Sequence, residues 1–144
     1  MKKGMIDNKN FTLISDYAHH PTEVRATLKA VKEKFPDKEV FCVFQPHQYQ
    51  RSFYLFKDFV RAFSEIPLKK TIITNIYDVA GREEKGIREK VSSKKMVEEI
   101  DKAWVGYLPK SKIKNYLKRS LKGGEIVVIM GAGDIYTLID EFST

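Results

Sequence analysis

Two spacings of apolar residues alternate along this chain. Five short stretches read as strands: Phe11–Ser15, Val40–Phe44, Thr71–Thr74, Trp104–Tyr107 and Glu125–Met130. Between them, apolar residues recur at helical spacing, which places one face of a helix against a core. Val24, Leu28, Val31 and Phe35 follow Pro21 at intervals of four, three and four, and Pro36-Asp37 ends the run. Phe56, Phe59, Val60 and Phe63 share a face of a helix starting near Arg51. Met96, Val97 and Ile100 follow a cap at Ser92 or Ser93, and Ile113, Leu117 and Leu121 lie on a helix stopped by Gly123-Gly124. Ile135, Leu138 and Ile139 belong to a short terminal helix. Residues 1–10 are polar and read as irregular, and 76–86 as a long loop of the kind that is commonly functional.

Val40–Phe44 is apolar at every position, the pattern of a strand covered on both faces, as strands in parallel sheets are. Strand and helix alternate throughout, so the crossovers are right-handed and the sheet mostly parallel. The predicted fold is α/β: a three-layer, Rossmann-like arrangement of about five to six strands with helices on both faces. At 144 residues the chain suits a single domain, 1–144, with its own core.

Composition narrows the setting. Hydrophobic residues are 42% and charged residues 31%, an ordinary globular balance. No apolar run approaches the roughly 20 residues that span a bilayer. Lys2 and Lys3 are not followed by an apolar segment, so no signal peptide is expected. The one cysteine, Cys42, sits inside an apolar strand and reads as a buried, inert thiol. These features fit a cytoplasmic protein with no membrane partner. The net charge of +7 comes partly from Lys110, Lys112, Lys114, Lys118, Arg119 and Lys122. That run reads as a solvated helix face. It could bind nucleic acid or another anion, but no RNA-binding sheet motif, zinc finger or basic zipper accompanies it.

The candidate chemistry lies in three polar turns, each directly after a predicted strand: Asp16-Tyr17-Ala18-His19-His20-Pro21, Gln45-Pro46-His47-Gln48-Tyr49-Gln50-Arg51 and Gly131-Ala132-Gly133-Asp134. Ligands of open α/β sheets bind at that edge. Asp16, His19 and His47 admit three readings: hydrogen-bonding turn residues, three ligands of a catalytic metal in a hydrolase, or a nucleotide or substrate site. Arg51 offers a planar fork that matches a carboxylate. Gly131 and Gly133 lack the third glycine of a dinucleotide fingerprint, since Tyr136 stands in its place. They suit a tight turn, or backbone N–H groups facing a ligand. No serine elbow, reactive-cysteine context or Walker phosphate loop is present.

The block Asp16-Tyr17-Ala18-His19-His20-Pro21, continuing Thr22-Glu23-Val24, resembles the opening signature of the C-terminal domain of the Mur ligases, the ATP-dependent amino-acid ligases of peptidoglycan synthesis. Phe44-Gln45-Pro46-His47-Gln48-Tyr49-Gln50-Arg51 resembles the branch that adds L-alanine to UDP-N-acetylmuramate, as does Met130-Gly131-Ala132-Gly133-Asp134-Ile135. The resemblance implies that Asp16 and His19 meet the nucleotide, and that Tyr17, His47, Arg51, Gly131 and Gly133 line the amino-acid side. It implies ATP and Mg2+ as cofactors of a longer enzyme, none held tightly by this chain. It also implies a central ATPase domain and an N-terminal UDP-sugar domain that are absent here, no catalytic residue and no metal ligand within this chain, and an inactive isolated domain. Ser15, Ala18 and Gln48 depart from the pattern; Gln48 stands where an arginine is common. Ligases that recycle a ready-made tripeptide share the Ala18-His19-His20-Pro21 form and are the nearest alternative.

Overall fold

The computed structural model describes residues 1–142. A six-stranded sheet runs in the order β1-β2-β6-β3-β4-β5, with β1 Lys2–Ile6, β2 Lys9–Asp16, β3 Val40–Phe44, β4 Lys70–Ile73, β5 Val105–Tyr107 and β6 Ile126–Met130. Among the described residues only the β1–β2 pair is antiparallel; β2–β6, β6–β3, β3–β4 and β4–β5 are parallel. The expected α/β class and mostly parallel sheet are both present.

Helices cover both faces. In β3 the side chains of Val40, Cys42 and Phe44 enter one core cluster. Those of Phe41 and Val43 enter the other, as the two-residue period of a strand requires. The first cluster takes Val24, Leu28 and Val31 of α1 (Pro21–Lys34), Phe59 and Phe63 of α3 (Phe56–Glu65), and Met96 and Ile100 of α4 (Ser93–Ile100). The second takes Ile113 and Leu117 of α5 (Lys110–Ser120) and Leu138, Ile139 and Phe142 of α6 (Tyr136–Phe142). On α5, Lys112, Lys114, Lys118 and Arg119 remain exposed, so the lysine-rich stripe is the solvent side of an amphipathic helix. Cys42 is fully buried, and burial pushes its thiol pKa up, so it stays protonated.

Two expectations need correction. Residues 1–10 are not irregular: β1 and the start of β2 form a hairpin, with Lys2 opposite Leu13 and Ile6 opposite Lys9. Its turn residues Asp7 and Asn8 have φ of 54° and 63°, a left-handed conformation that short polar side chains tolerate and two-residue hairpins favour. Ile6 and Phe11 are buried by the pairing. The helix expected from Arg51 through Phe63 is two helices, α2 (Tyr49–Tyr54) and α3, broken at Leu55, where φ is −105° and ψ 17°.

The start of α1 shows what part of the first signature does locally. His20 is the N-cap: its Nδ1 accepts from the Thr22 N–H (3.3 Å), and Glu23 reaches back to the His20 N–H (3.1 Å). Pro21 takes the first helical position, where no N–H is needed. The N–H groups of His19 and His20 hold the Glu23 carboxyl below its usual range. His20→Ala is expected to lower stability by about 1 kcal/mol, the usual cost of losing a side-chain cap, measured by urea unfolding.

Candidate functional site

Strands β2, β6 and β3 are neighbours and run parallel, so their carboxyl ends lie side by side. Asp16 and Phe44 both pair in register with Met130. The backbone stitches the turns together just beyond them: the Gly131 N–H donates to the Asp16 carbonyl (3.0 Å) and the Gln45 N–H to the Met130 carbonyl (3.0 Å). Three polar segments far apart in the chain therefore form one surface.

Asp16 closes the first turn. Its Oδ1 accepts from the Ala18 N–H (2.9 Å) and its Oδ2 from the Thr27 hydroxyl of α1 (2.7 Å). Ala18 is buried and Tyr17 is 75% exposed. The Nδ1 of His19 lies 3.0 Å from the Tyr17 carbonyl. A carbonyl only accepts, so this contact selects the tautomer with the proton on Nδ1. The His19 ring meets the His47 ring edge-on at 6.2 Å.

His47 joins the second turn to the long loop. It bridges Tyr77 in parallel fashion, with the Tyr77 N–H donating to the Pro46 carbonyl (2.8 Å) and the Gln48 N–H to the Tyr77 carbonyl (2.9 Å). The Tyr77 ring stacks on the His47 ring at 5.4 Å and 17°. Nη1 of Arg51 lies 3.3 Å from Nδ1 of His47. A guanidinium only donates, so His47 accepts there and is neutral. Consistently, burial and then the Arg51 charge hold its pKa below the usual histidine value.

The third turn is packed from below. A Cβ on Gly133 would stand 2.5 Å from Cγ of Tyr77 and 2.7 Å from Oε1 of Gln45. One on Gly131, whose φ is +155°, would meet Ile135 at 2.9 Å and Gln45 at 3.2 Å. The buried Gln45 donates to Oδ1 of Asp134 (2.7 Å) and accepts from the Ile135 N–H (3.1 Å). Lys110 of α5 lies 3.5 Å from the other Asp134 oxygen. The close approach that these glycines permit is thus made to Gln45 and Tyr77.

The structure links His19, His47 and Arg51 directly. Asp16, Gly131 and Gly133 join them through the backbone, Gln45 and Tyr77, and Tyr17 stands exposed on the same edge. Among the described residues, no group of three His, Cys, Asp or Glu side chains is arranged to hold a metal ion. Sequence reasoning missed Gln45, Tyr77, Glu83, Thr27 and the capping role of His20. Gln45 carried a signal, a polar residue directly after a fully apolar strand. The pattern His20-Pro21-Thr22-Glu23 carried another, an N-cap with an acidic residue three positions on. Tyr77 and Glu83 carried no signal beyond their place in the long 76–86 loop, because their partners in the second turn and α2 are 29 or more residues away.

Comparison with known proteins agrees at the level of the family. A family model described as Mur ligase, glutamate ligase domain, matches residues 4–133. A UDP-N-acetylmuramate–L-alanine ligase of Alkaliphilus metalliredigens is 40% identical over 130 residues, covering 90% of this chain and 27% of that protein. The ligase of the same name from Clostridium tetani is 42% identical over 134 residues, 91% of this chain and 28% of that protein. The chain therefore spans little more than a quarter of the relatives it matches. Among solved structures, a UDP-N-acetylmuramate–alanine ligase of Thermotoga maritima superposes with a TM-score of 0.61 at 21% identity, over 94% of this chain and 26% of that one. That likeness concerns the fold.

Proposed function

The chain belongs to the Mur ligase glutamate-ligase-domain family, and from that premise we propose that it is the amino-acid-binding domain of an ATP-dependent ligase that joins L-alanine to UDP-N-acetylmuramate. The observation that carries this reading is the Arg51 guanidinium beside a neutral His47, on the sheet edge where all three polar turns meet. An amino-acid ligase must hold the free carboxylate of the incoming amino acid and leave its amine unprotonated to attack. A planar cation serves the first need through two parallel charge-assisted hydrogen bonds. A neutral imidazole beside it adds no second positive charge to oppose the approach of the amino acid's ammonium group, which then loses a proton before the amine attacks.

In this reading Arg51 holds the L-alanine carboxylate, and His47 and Tyr17 flank it. Gly131 and Gly133 bring the third turn against the same space. Asp16 and His19 face the nucleotide. Asp16 has the donor-free carboxylate that a ribose hydroxyl pairs with, though both oxygens already serve Ala18 and Thr27. ATP with Mg2+ supplies the activation of the sugar-linked carboxylate. In this reading the metal is held by a central domain of the longer enzyme. The whole of 1–144 acts as one closing unit that brings the amine to the activated carboxylate, and alone it does not ligate.

The test is an amide NMR titration of this chain with L-alanine and with ADP. L-alanine is expected to shift His47–Arg51 and Gly131–Gly133, and ADP to shift Asp16–His20. Arg51→Ala should weaken L-alanine binding by about tenfold or more, since a hydrogen bond to a charged group is worth about 1.5–3 kcal/mol. Undiminished L-alanine binding by Arg51→Ala would remove that residue from the site, and ATP-dependent ligation by the isolated chain would refute the domain reading.

A further inference from the structure

The loop after β4 is fastened to α2 by its own carboxylates. α2 has six residues, of which Ser52 is buried. It begins without a cap of its own: Gln48 has φ 71° and makes no side-chain capping bond. The first N–H groups of a helix need acceptors from elsewhere. Here Glu83 supplies them, one carboxylate oxygen accepting from the Tyr49 N–H (2.5 Å) and the other from the Gln50 N–H (3.3 Å). The attachment is reciprocal. The Glu84 N–H donates to Oε1 of Gln50 (3.2 Å), and the Tyr54 hydroxyl donates to the Glu84 carboxylate (3.0 Å). The loop is also closed on itself: Arg88 grips Asp78 through two bonds of 2.7 Å and lies 5.9 Å over the Tyr49 ring.

Arg51 is the third residue of α2, within the turn whose N–H groups Glu83 occupies. A helix this short is marginal without outside support, so the direction of the Arg51 guanidinium depends on what holds that turn. We propose that Glu83 is a positioning residue for the amino-acid site: its carboxylate fixes the first turn of α2 and thereby aims Arg51 at the substrate carboxylate. The assignment rests on the reading of Arg51 given above. It makes the long loop part of the binding apparatus, although no loop residue need touch the ligand.

The experiment compares the wild-type chain, Glu83→Gln and Glu83→Ala by amide hydrogen exchange and L-alanine titration. Glu83→Ala removes both acceptors. Exchange at Ser52–Leu55 should accelerate by about tenfold while β3 and β6 stay protected, and L-alanine affinity should fall by about tenfold. Glu83→Gln keeps one carbonyl acceptor and should retain affinity within about threefold of wild type. Unchanged exchange in α2 of Glu83→Ala overturns the proposal. So does faster exchange with unchanged L-alanine affinity, which would make Glu83 a cap and nothing more. If the wild-type chain itself binds no L-alanine, the amino-acid reading falls, and this assignment with it. That failure is distinguishable because it appears before any substitution is made.

Discussion

Phe44→Ala is expected to lower the unfolding free energy by about 3–5 kcal/mol, the range for deleting a buried aromatic ring. Phe44 is the last residue of β3 and fully buried, its ring 5.5 Å from that of Phe59 and 5.2 Å from that of Phe63. Those two rings come from α3, so the cluster is the seam between the sheet and the helical layer. Alanine would leave a void that β3, held by parallel neighbours on both sides, cannot close by shifting. Domains of this kind are stable by only about 5–15 kcal/mol in total, so the loss is a large fraction. It should appear in urea unfolding as a lower midpoint with little change in slope. Phe53→Ala is the control. Phe53 is 38% exposed, and its removal should cost about 1 kcal/mol or less. A loss below about 1.5 kcal/mol at Phe44 would mean that the seam relaxes around the void rather than resisting it.

Gly133→Ala tests the other side of the site. The added methyl would lie 2.5 Å from Tyr77 and 2.7 Å from Gln45, so one of them must move. Gln45 is buried and committed to Asp134 and the Ile135 N–H. Tyr77 is half-buried and held by stacking on His47. It is the freer of the two, so the strain should displace it. Overpacking of this kind costs about 1–3 kcal/mol. The distinctive result is at His47: with Tyr77 lifted away, the ring-current shifts of the His47 ring protons should collapse, while those of the Phe44 cluster stay. Unchanged His47 resonances in a destabilised variant would show that Gln45 had yielded instead. Tyr77 has no place in the polar-turn motifs, yet through this packing it joins the second turn to the third.

Much of the molecule was legible in order along the chain. Five strands and the helical stripes follow from local periodicity, because a residue's face on a strand or helix depends on neighbours two to four positions away. The Val40–Phe44 run announced a strand covered on both faces. Residues 1–10 were misread because the hairpin depends on a left-handed turn at Asp7-Asn8 and on the chance for Ile6 to be buried by pairing. The break at Leu55 was missed because the apolar spacing from Phe56 to Phe63 continues a pattern that the backbone interrupts just before it.

By itself the sequence determined the elements, the two buried faces of the sheet, and three chemically distinctive turns, each after a strand. It did not determine that these turns meet. That follows from strand order: β6, the last strand, lies between β2 and β3, which sets Gly131 against Asp16 and Gln45 against Met130. The tertiary structure also decided that Tyr77 would stack on His47 and that Glu83 would cap α2 from a distant loop. The physical reason is the same in each case. Periodicity is enforced by backbone geometry over a few residues, whereas strand order and loop docking are chosen by the total burial and hydrogen bonding of segments that share no local pattern.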